Sequence, residues 1–508
     1  MSRSFSGIRH NEIDSRYDVV IVGAGIGGLV CANLLAIQGK KVLLVENHTV
    51  VGGFCSTFYR RGFTFDSASH FYPLLGNPDS ISGKLLKTIG IQSQWHRMDP
   101  VDQFHLPDGS RFSVSAEYDD YVGDLKGRFP DESDSLDKFF KLVRRLYFIG
   151  LLYFFHETEI TRGKEYLSWT VRDAMDHFFS DEQLKLVLTA DCPHWGAPPS
   201  RTSFVFDSML RLSYFSGNYY PAGGSQDFAN ELAKNFETNG GHVLLKSKAK
   251  RILLTGNRAT GIEVVTGPLK ERTLVSIESD HVVSNADLRQ TVSQLLPESS
   301  VPDSYRESVF KLKPSFSCFL MHIGLKNTSR ETLERIHGYY WNGWDSDRVG
   351  FEAFKFKLFA PTLYEPALAP EDCHVLVVQK VIEFDFDTVQ DWAAHKQSIE
   401  EFVYTELEKI VPDFQSRIVV SLSASAKTSQ RFTKNFQGAM IGFEMSPEQL
   451  GDQRPAIETP IENLLLTGQW TRPGGGITPV VISAMRCAQK ILGQDRFDEI
   501  LKLELAEV

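Results

Sequence analysis

Tyr17-Asp18-Val19-Val20-Ile21-Val22-Gly23-Ala24-Gly25-Ile26-Gly27-Gly28 is a short apolar run that breaks into a glycine-rich turn, and the residues C-terminal to it decide its reading. A stretch without proline or charge continues to Gln38, and a second apolar run, Lys41-Val42-Leu43-Leu44-Val45, ends in Glu46. Strand, glycine turn, helix, strand and acid make a βαβ dinucleotide unit. Gly23 lets the chain leave the strand sharply, Gly25 admits a pyrophosphate close to the backbone, and Gly28 lets the helix lie against the sheet. The loop residues Ala24, Ile26 and Gly27 complete the turn, whose helix-start amides face the phosphates. Glu46 stands 23 positions after Gly23, close to the roughly 20 of this fingerprint, where a carboxylate accepts from a ribose hydroxyl.

The glycines alone do not choose between NAD and FAD. The sequel does: Val50-Val51-Gly52-Gly53-Phe54-Cys55-Ser56-Thr57 places a second glycine pair directly after the second strand. Such a pair gives an extended cofactor another close pass along the backbone, for which a nicotinamide enzyme has no use at this point.

Gly52-Gly53 and the following Arg61-Gly62-Phe63-Thr64-Phe65-Asp66 resemble the FAD-containing superfamily of phytoene desaturases, carotenoid isomerases and retinol saturases, which is allied to the amine oxidases. Three later stretches extend the resemblance over the whole chain. Tyr220-Pro221-Ala222-Gly223-Gly224-Ser225 resembles the middle motif, and His281-Val282-Val283-Ser284-Asn285-Ala286-Asp287 the return strand to the FAD domain. Asn463-Leu464-Leu465-Leu466-Thr467-Gly468-Gln469, with Pro473-Gly474-Gly475-Gly476-Ile477 opening a helix, resembles the C-terminal FAD motif. The resemblance implies FAD as cofactor, with Asn47, Phe54 and Thr57 beside the first two glycine sites, Ala249 near the adenine, and Asn285, Gly468, Gln469, Gly475, Gly476 and Ile477 completing its site. Two departures stand out. Gln469 occupies a position where many relatives carry Asp, and Phe54 one where amine oxidases often carry Arg, which moves the reading toward the carotenoid branch.

The implied fold is α/β: a discontinuous Rossmann-type FAD-binding domain (17–82, 218–296 and 431–508), a helical module open to membrane association (83–217) and a mixed-sheet substrate domain (297–430). Residues 1–16 are polar and are expected to form a mobile tail. Within the helical module, Leu146 to Phe155 is a charge-free run of ten residues, short of the about 20 needed to cross a bilayer. Two readings of 139–155 stay open: a buried helix, or an interfacial one in which Lys138, Lys141, Arg144 and Arg145 meet anionic headgroups. Phe351 to Phe359 alternates in part, as a half-buried strand does.

A net charge of -10 over 508 residues, with no basic cluster, excludes a nucleic-acid partner. Six scattered cysteines form no CxxC pair, so neither a metal site nor a disulfide framework is expected; they read as reduced thiols of an intracellular protein, cytoplasmic or peripherally bound to a membrane. The N-terminus lacks the apolar core of a secretory signal. His70 lies in Asp66-Ser67-Ala68-Ser69-His70-Phe71-Tyr72, which the resemblance places beside the flavin ring; either it orders that loop or it handles a proton there.

The expected activity is hydride exchange between flavin N5 and a long apolar isoprenoid, most simply isomerisation or desaturation of a carotenoid. The alternatives are a flavin oxidase or ketolase-type oxygenase on a smaller or oxygenated substrate, and a non-catalytic FAD protein that binds pigment. The sequence leaves the oligomeric state open.

Overall fold

β1 (Arg16–Val22) is apolar on both faces because both are covered: Val19 and Ile21 pack into one core, Val20 and Val22 into another. A strand with no solvent face reads as a continuous run, not as an alternation. After the glycine turn, all of α1 (Ile26–Ala36) is buried, and β2 (Val42–Val45) returns parallel to β1. Each fully buried leucine here contributes about 1.5–3 kcal/mol of transfer free energy, so Leu29, Leu34, Leu35, Leu43 and Leu44 anchor the unit.

The computed structural model describes residues 5–155, 163–349, 353–383, 386–493 and 497. Beyond β2 come the hairpin β3 (Thr57–Arg60) and β4 (Phe63–Asp66), then β5 (Asp102–His105) and β6 (Arg111–Val114). The helical region includes α2 (Ser133–Gly150), which ends in a π turn, Leu151–Phe155, and α3 (Phe204–Phe215), packed against it. α4 (Ser225–Thr238) leads to β7 (His242–Leu244), β8 (Lys248–Thr255), β9 (Arg258–Thr266) and β10 (Thr273–Ser284). The rest comprises β11 (Ser317–Lys326), β12 (Gly338–Trp341), β13 (Phe354–Phe359), β14 (Cys373–Ile382), α5 (Trp392–Ile410), β15 (Ile418–Ala424), α6 (Ala426–Thr433), β16 (Leu464–Leu466) and α7 (Ile477–Leu492).

Seven strands form the first sheet in the order β8-β9-β10-β1-β2-β7, with β16 also on β10. β10 does two jobs: its first half closes the antiparallel meander with β9, and its second half lies parallel between β1 and β16. α7 packs against α1 over this sheet. The second sheet runs β15-β11-β14-β13-β12-β5-β6, antiparallel except where β12 meets β5. The fold is thus the expected α/β arrangement of a Rossmann-type unit and a mixed sheet.

The structure departs from the expected boundaries in two places. β5 and β6, inside the stretch read as helical (83–217), pair with each other across the turn at Asp108-Gly109 and belong to the second sheet, with Phe104 opposite Tyr339; β12, the strand that β5 joins, is more than two hundred residues away. The N-terminal segment, expected as a mobile tail, is fastened from Phe5 onward: Phe5 is buried and the Ile8 N–H donates to Val243 O at 2.8 Å on the sheet edge. Residues 1–4 lie outside the described residues, as do 350–352, so the strand read from Phe351 is described only as β13, from Phe354.

Candidate active site

The first glycine cluster is held in shape by two side chains. Gly23 has φ of +102°, a backbone region that favours glycine. The Ala24 N–H donates to Glu46 Oε2 at 2.8 Å and the His48 N–H to Oε1 at 2.6 Å, so Glu46 closes the loop onto the end of β2. Burial raises the Glu46 carboxyl above the usual range, and those backbone donors oppose the rise. Asn285 is the second brace: its amide donates to Gly23 O at 3.0 Å.

The two distant glycine clusters meet around Asn285. A Cβ on Gly28 would come within 2.1 Å of Gly23 O, one on Gly468 within 2.3 Å of Asn285 Oδ1, and one on Gly27 within 3.0 Å of the Gly468 Cα. The Gly52 N–H donates to Ala24 O at 2.8 Å, and a Cβ on Gly53 would sit 3.3 Å from the Gly25 Cα. These glycines admit close approach of neighbouring backbone or, at Gly468, of the Asn285 side chain.

That cavity has a volume of about 1600 Å³, larger than the about 300–1,000 Å³ of a site for one small ligand. It therefore has room for a cofactor and a substrate together. Of the residues assigned to the cofactor from sequence, all but Ala24 and Gly28 line it; those two act through packing and the Glu46 bond. The N-termini of α1 and α7 both open on it, with glycine N-caps, Gly25 and Gly476, that supply no side-chain acceptor. Such ends carry free N–H groups and partial positive charge. Lys248, Lys396, Lys427 and Arg431, none of them in a glycine motif, add cationic lining. Two open helix starts, a carboxylate at the end of β2 and a cationic wall fit the diphosphate and ribose of FAD.

Several further residues shape this site, and of these Arg454 and His322 carry no sequence signal. Arg454 is buried and donates to the carbonyls of Phe443, Glu444 and Thr471 at 3.2–3.3 Å and of Gln469 at 2.8 Å, which fastens the C-terminal glycine loop; burial lowers its pKa to about 9. Asp66 accepts from the Tyr220 hydroxyl and, at 3.0 Å, from the Ser225 N–H, so the middle motif braces the site from behind and does not line it. His322 on β11 donates from Nε2 to Asp66 O at 2.9 Å, and burial lowers its pKa to about 4.

His70 lies on the cavity wall beside His194, ring centroids 4.9 Å apart. Behind them the Lys357 ammonium pairs with Asp102 at 2.6 Å and sits 3.6 Å over the Phe71 ring. Burial lowers Lys357 to about 8, opposed by Asp102. Both imidazoles fall well below the usual histidine range, through burial first and the Lys357 charge second. Gln379 stands close enough to His194 to favour its protonated form, without closing a hydrogen bond of good geometry.

The family profile of flavin containing amine oxidoreductases matches residues 26–492. The chain is 26% identical to prolycopene isomerase of Daucus carota, over 96% of this chain and 82% of that one. It is 27% identical to all-trans-retinol 13,14-reductase of Rattus norvegicus, over 97% and 88%. Among solved structures, an oxidoreductase from Methanosarcina mazei superposes with a TM-score of 0.65 at 18% identity, covering 94% of this chain and all of that one. Cyclohexylamine oxidase from Brevibacterium oxydans gives 0.62 at 18%, with the same coverage. These two share the fold. The chain belongs to the flavin containing amine oxidoreductase family and is an FAD-dependent enzyme of oxidoreductase or isomerase type.

Proposed function

We propose that this enzyme isomerises or desaturates a long polyene isoprenoid, most simply a carotenoid, which lies in the same cavity as the cofactor. The observation that carries the reading is the continuity of that cavity, from the glycine cradle at Glu46 to an apolar stretch of wall formed by Tyr147, Leu151, Phe206, Met209 and Leu210. Relatives named for prolycopene and retinol support the same substrate class.

When bound, FAD supplies hydride exchange at N5. The chain's own residues do the rest. The start of α7 presents free N–H groups where negative charge is favoured. The apolar side chains of that wall keep water from a long apolar substrate. His70 and His194, held neutral, are placed for hydrogen bonding and not for charge.

Collecting such a substrate favours peripheral membrane contact. No helix among the described residues is long and apolar enough to cross a membrane. In α2 the apolar face is core, with Leu136, Phe139, Phe140, Val143 and Leu146 buried, while Lys138, Lys141, Arg144 and Arg145 are exposed. Tyr147 and Leu151, just C-terminal to that cationic face, line the cavity. The side chains of 154 and 155 lie outside the described residues.

The test is expression in cells that accumulate defined carotenoid precursors, followed by chromatography of the pigments. Isomerisation predicts loss of one isomer with no change of product mass, and desaturation a loss of two hydrogens per bond. No change in any polyene, with FAD-loaded enzyme present both oxidised and anaerobically reduced, would overturn the proposal.

A further inference from the structure

Arg454 is 1% exposed, and every atom that accepts from its guanidinium is uncharged. Nε donates to Thr471 O at 3.2 Å, and Nη2 to Phe443 O at 3.3 Å and Gln469 O at 2.8 Å. Nη1 faces Glu444 O, Gln449 O and the Met445 sulfur at 3.3–3.5 Å. No carboxylate among the described residues pairs with it: the Glu444 side chain is taken by Arg201 at 2.8 Å and that of Asp452 by Arg472 at 3.5 Å. A buried charge without a counter-ion is costly. Carbonyl dipoles solvate such a charge without neutralising it, and its field extends past them.

That field reaches the cofactor cavity. Met445 and Gln469 line the cavity, and a Cβ on Gly474 would lie 3.5 Å from the Arg454 Cζ, directly before the lining residues Gly475 and Gly476. The guanidinium thus stands one residue behind the wall at the start of α7, whose free N–H groups give the same wall a partial positive charge. Because the Gln469 carbonyl is turned back onto Arg454, the Trp470 N–H of the same trans peptide points away from it.

Oxidised FAD carries its negative charge on the diphosphate alone. Reduction by two electrons with one proton, taken at N5, places a further negative charge in the ring system. The diphosphate is common to both forms, so its attraction to the wall cancels in the comparison, and the positive wall favours the reduced form.

We infer that Arg454 is a positioning residue with an electrostatic role: from behind the C-terminal glycine loop, its unpaired charge makes the protein hold reduced, anionic flavin more tightly than oxidised flavin. The inference goes beyond the polyene proposal and stands whichever substrate the enzyme takes. A clasp for the loop, with no electrostatic role, would strengthen both forms equally.

The experiment titrates the FAD-loaded full chain anaerobically with dithionite, which supplies the electrons, in the presence of reference dyes. The midpoint potential is read from the flavin absorption band, with free FAD measured alongside. A hold on the reduced form about tenfold tighter sets the bound flavin about 30 mV above free FAD. Arg454→Met is expected to remove most of that rise. Arg454→Lys keeps the charge with fewer bonds, and is expected to retain most of the rise even where FAD affinity falls. A wild-type potential at or below that of free FAD overturns the inference, as does an Arg454→Met potential equal to that of the wild type. The comparison with free FAD needs no variant, and it decides the matter where Arg454→Met fails to hold the cofactor.

Discussion

Asn285 shows how one amide can hold a cofactor site together while touching several glycines. Replacing it with Ala leaves Gly23 O without its donor and opens space against Gly25, Gly27 and Gly468. Loss of that bond at about 1–3 kcal/mol predicts that Asn285→Ala weakens FAD binding about tenfold or more, read by titration of flavin fluorescence. His322 sets an acid limit. Its pKa falls from 6.5 to about 4 on folding, through burial and against the bond to Asp66 O, so the unfolded chain binds the extra proton as pH falls from 6.5 toward 4. Stability from this group is therefore complete above pH 6.5 and drains away below it, by about 3 kcal/mol at about 1.4 kcal/mol per pH unit. Melting temperatures at pH 7.5 and 5 should differ more in the wild type than in His322→Gln. At this scale the glycines were legible because each answers a local backbone demand. Asn285 was legible as part of a motif but not as a brace, and His194, Gln379, Lys357 and Arg454 gave no local sign, since their partners come from other parts of the chain.

Among the elements, α2 shows where pattern reading reaches its limit. Its sequence allowed a buried or an interfacial helix; in the structure Leu136, Phe139, Phe140, Val143 and Leu146 face the core, and Lys141 and Arg145 face out, while Arg144 also lies 4.4 Å over the Tyr118 ring. On the membrane proposal, reversing charge at Lys141 and Arg145 lowers co-sedimentation with anionic vesicles several-fold and leaves FAD content unchanged. Retained binding would remove the charged face from the account. β1, α1 and β2 could be read from sequence because turn, helix and acid stand in register within thirty residues. β5 and β6 could not be placed in the second sheet, because each is four residues long and β12, the strand through which β5 joins that sheet, lies more than two hundred residues away.

At the level of the whole molecule, one cavity joins the two sheets, lined by residues from β2, α2, α3, β11, β14, α6 and α7. A ligand that binds only such an assembled site stabilises the folded state by mass action. FAD at about a hundred times its Kd should add roughly 3 kcal/mol and raise the melting temperature by a few degrees relative to apoprotein; calorimetry that shows no shift would argue against a single shared cradle.

The β10–β16 pairing has a consequence for how the protein is made. Leu464 to Leu466 and the helix after them leave the ribosome more than four hundred residues after β1, yet they close the sheet begun at Arg16. The nascent chain must wait, with α1 lacking its α7 cover, until residues 464–492 have emerged. A ribosome stalled before residue 460 should hold a protease-sensitive, flavin-free chain, and one released after residue 493 a compact yellow one.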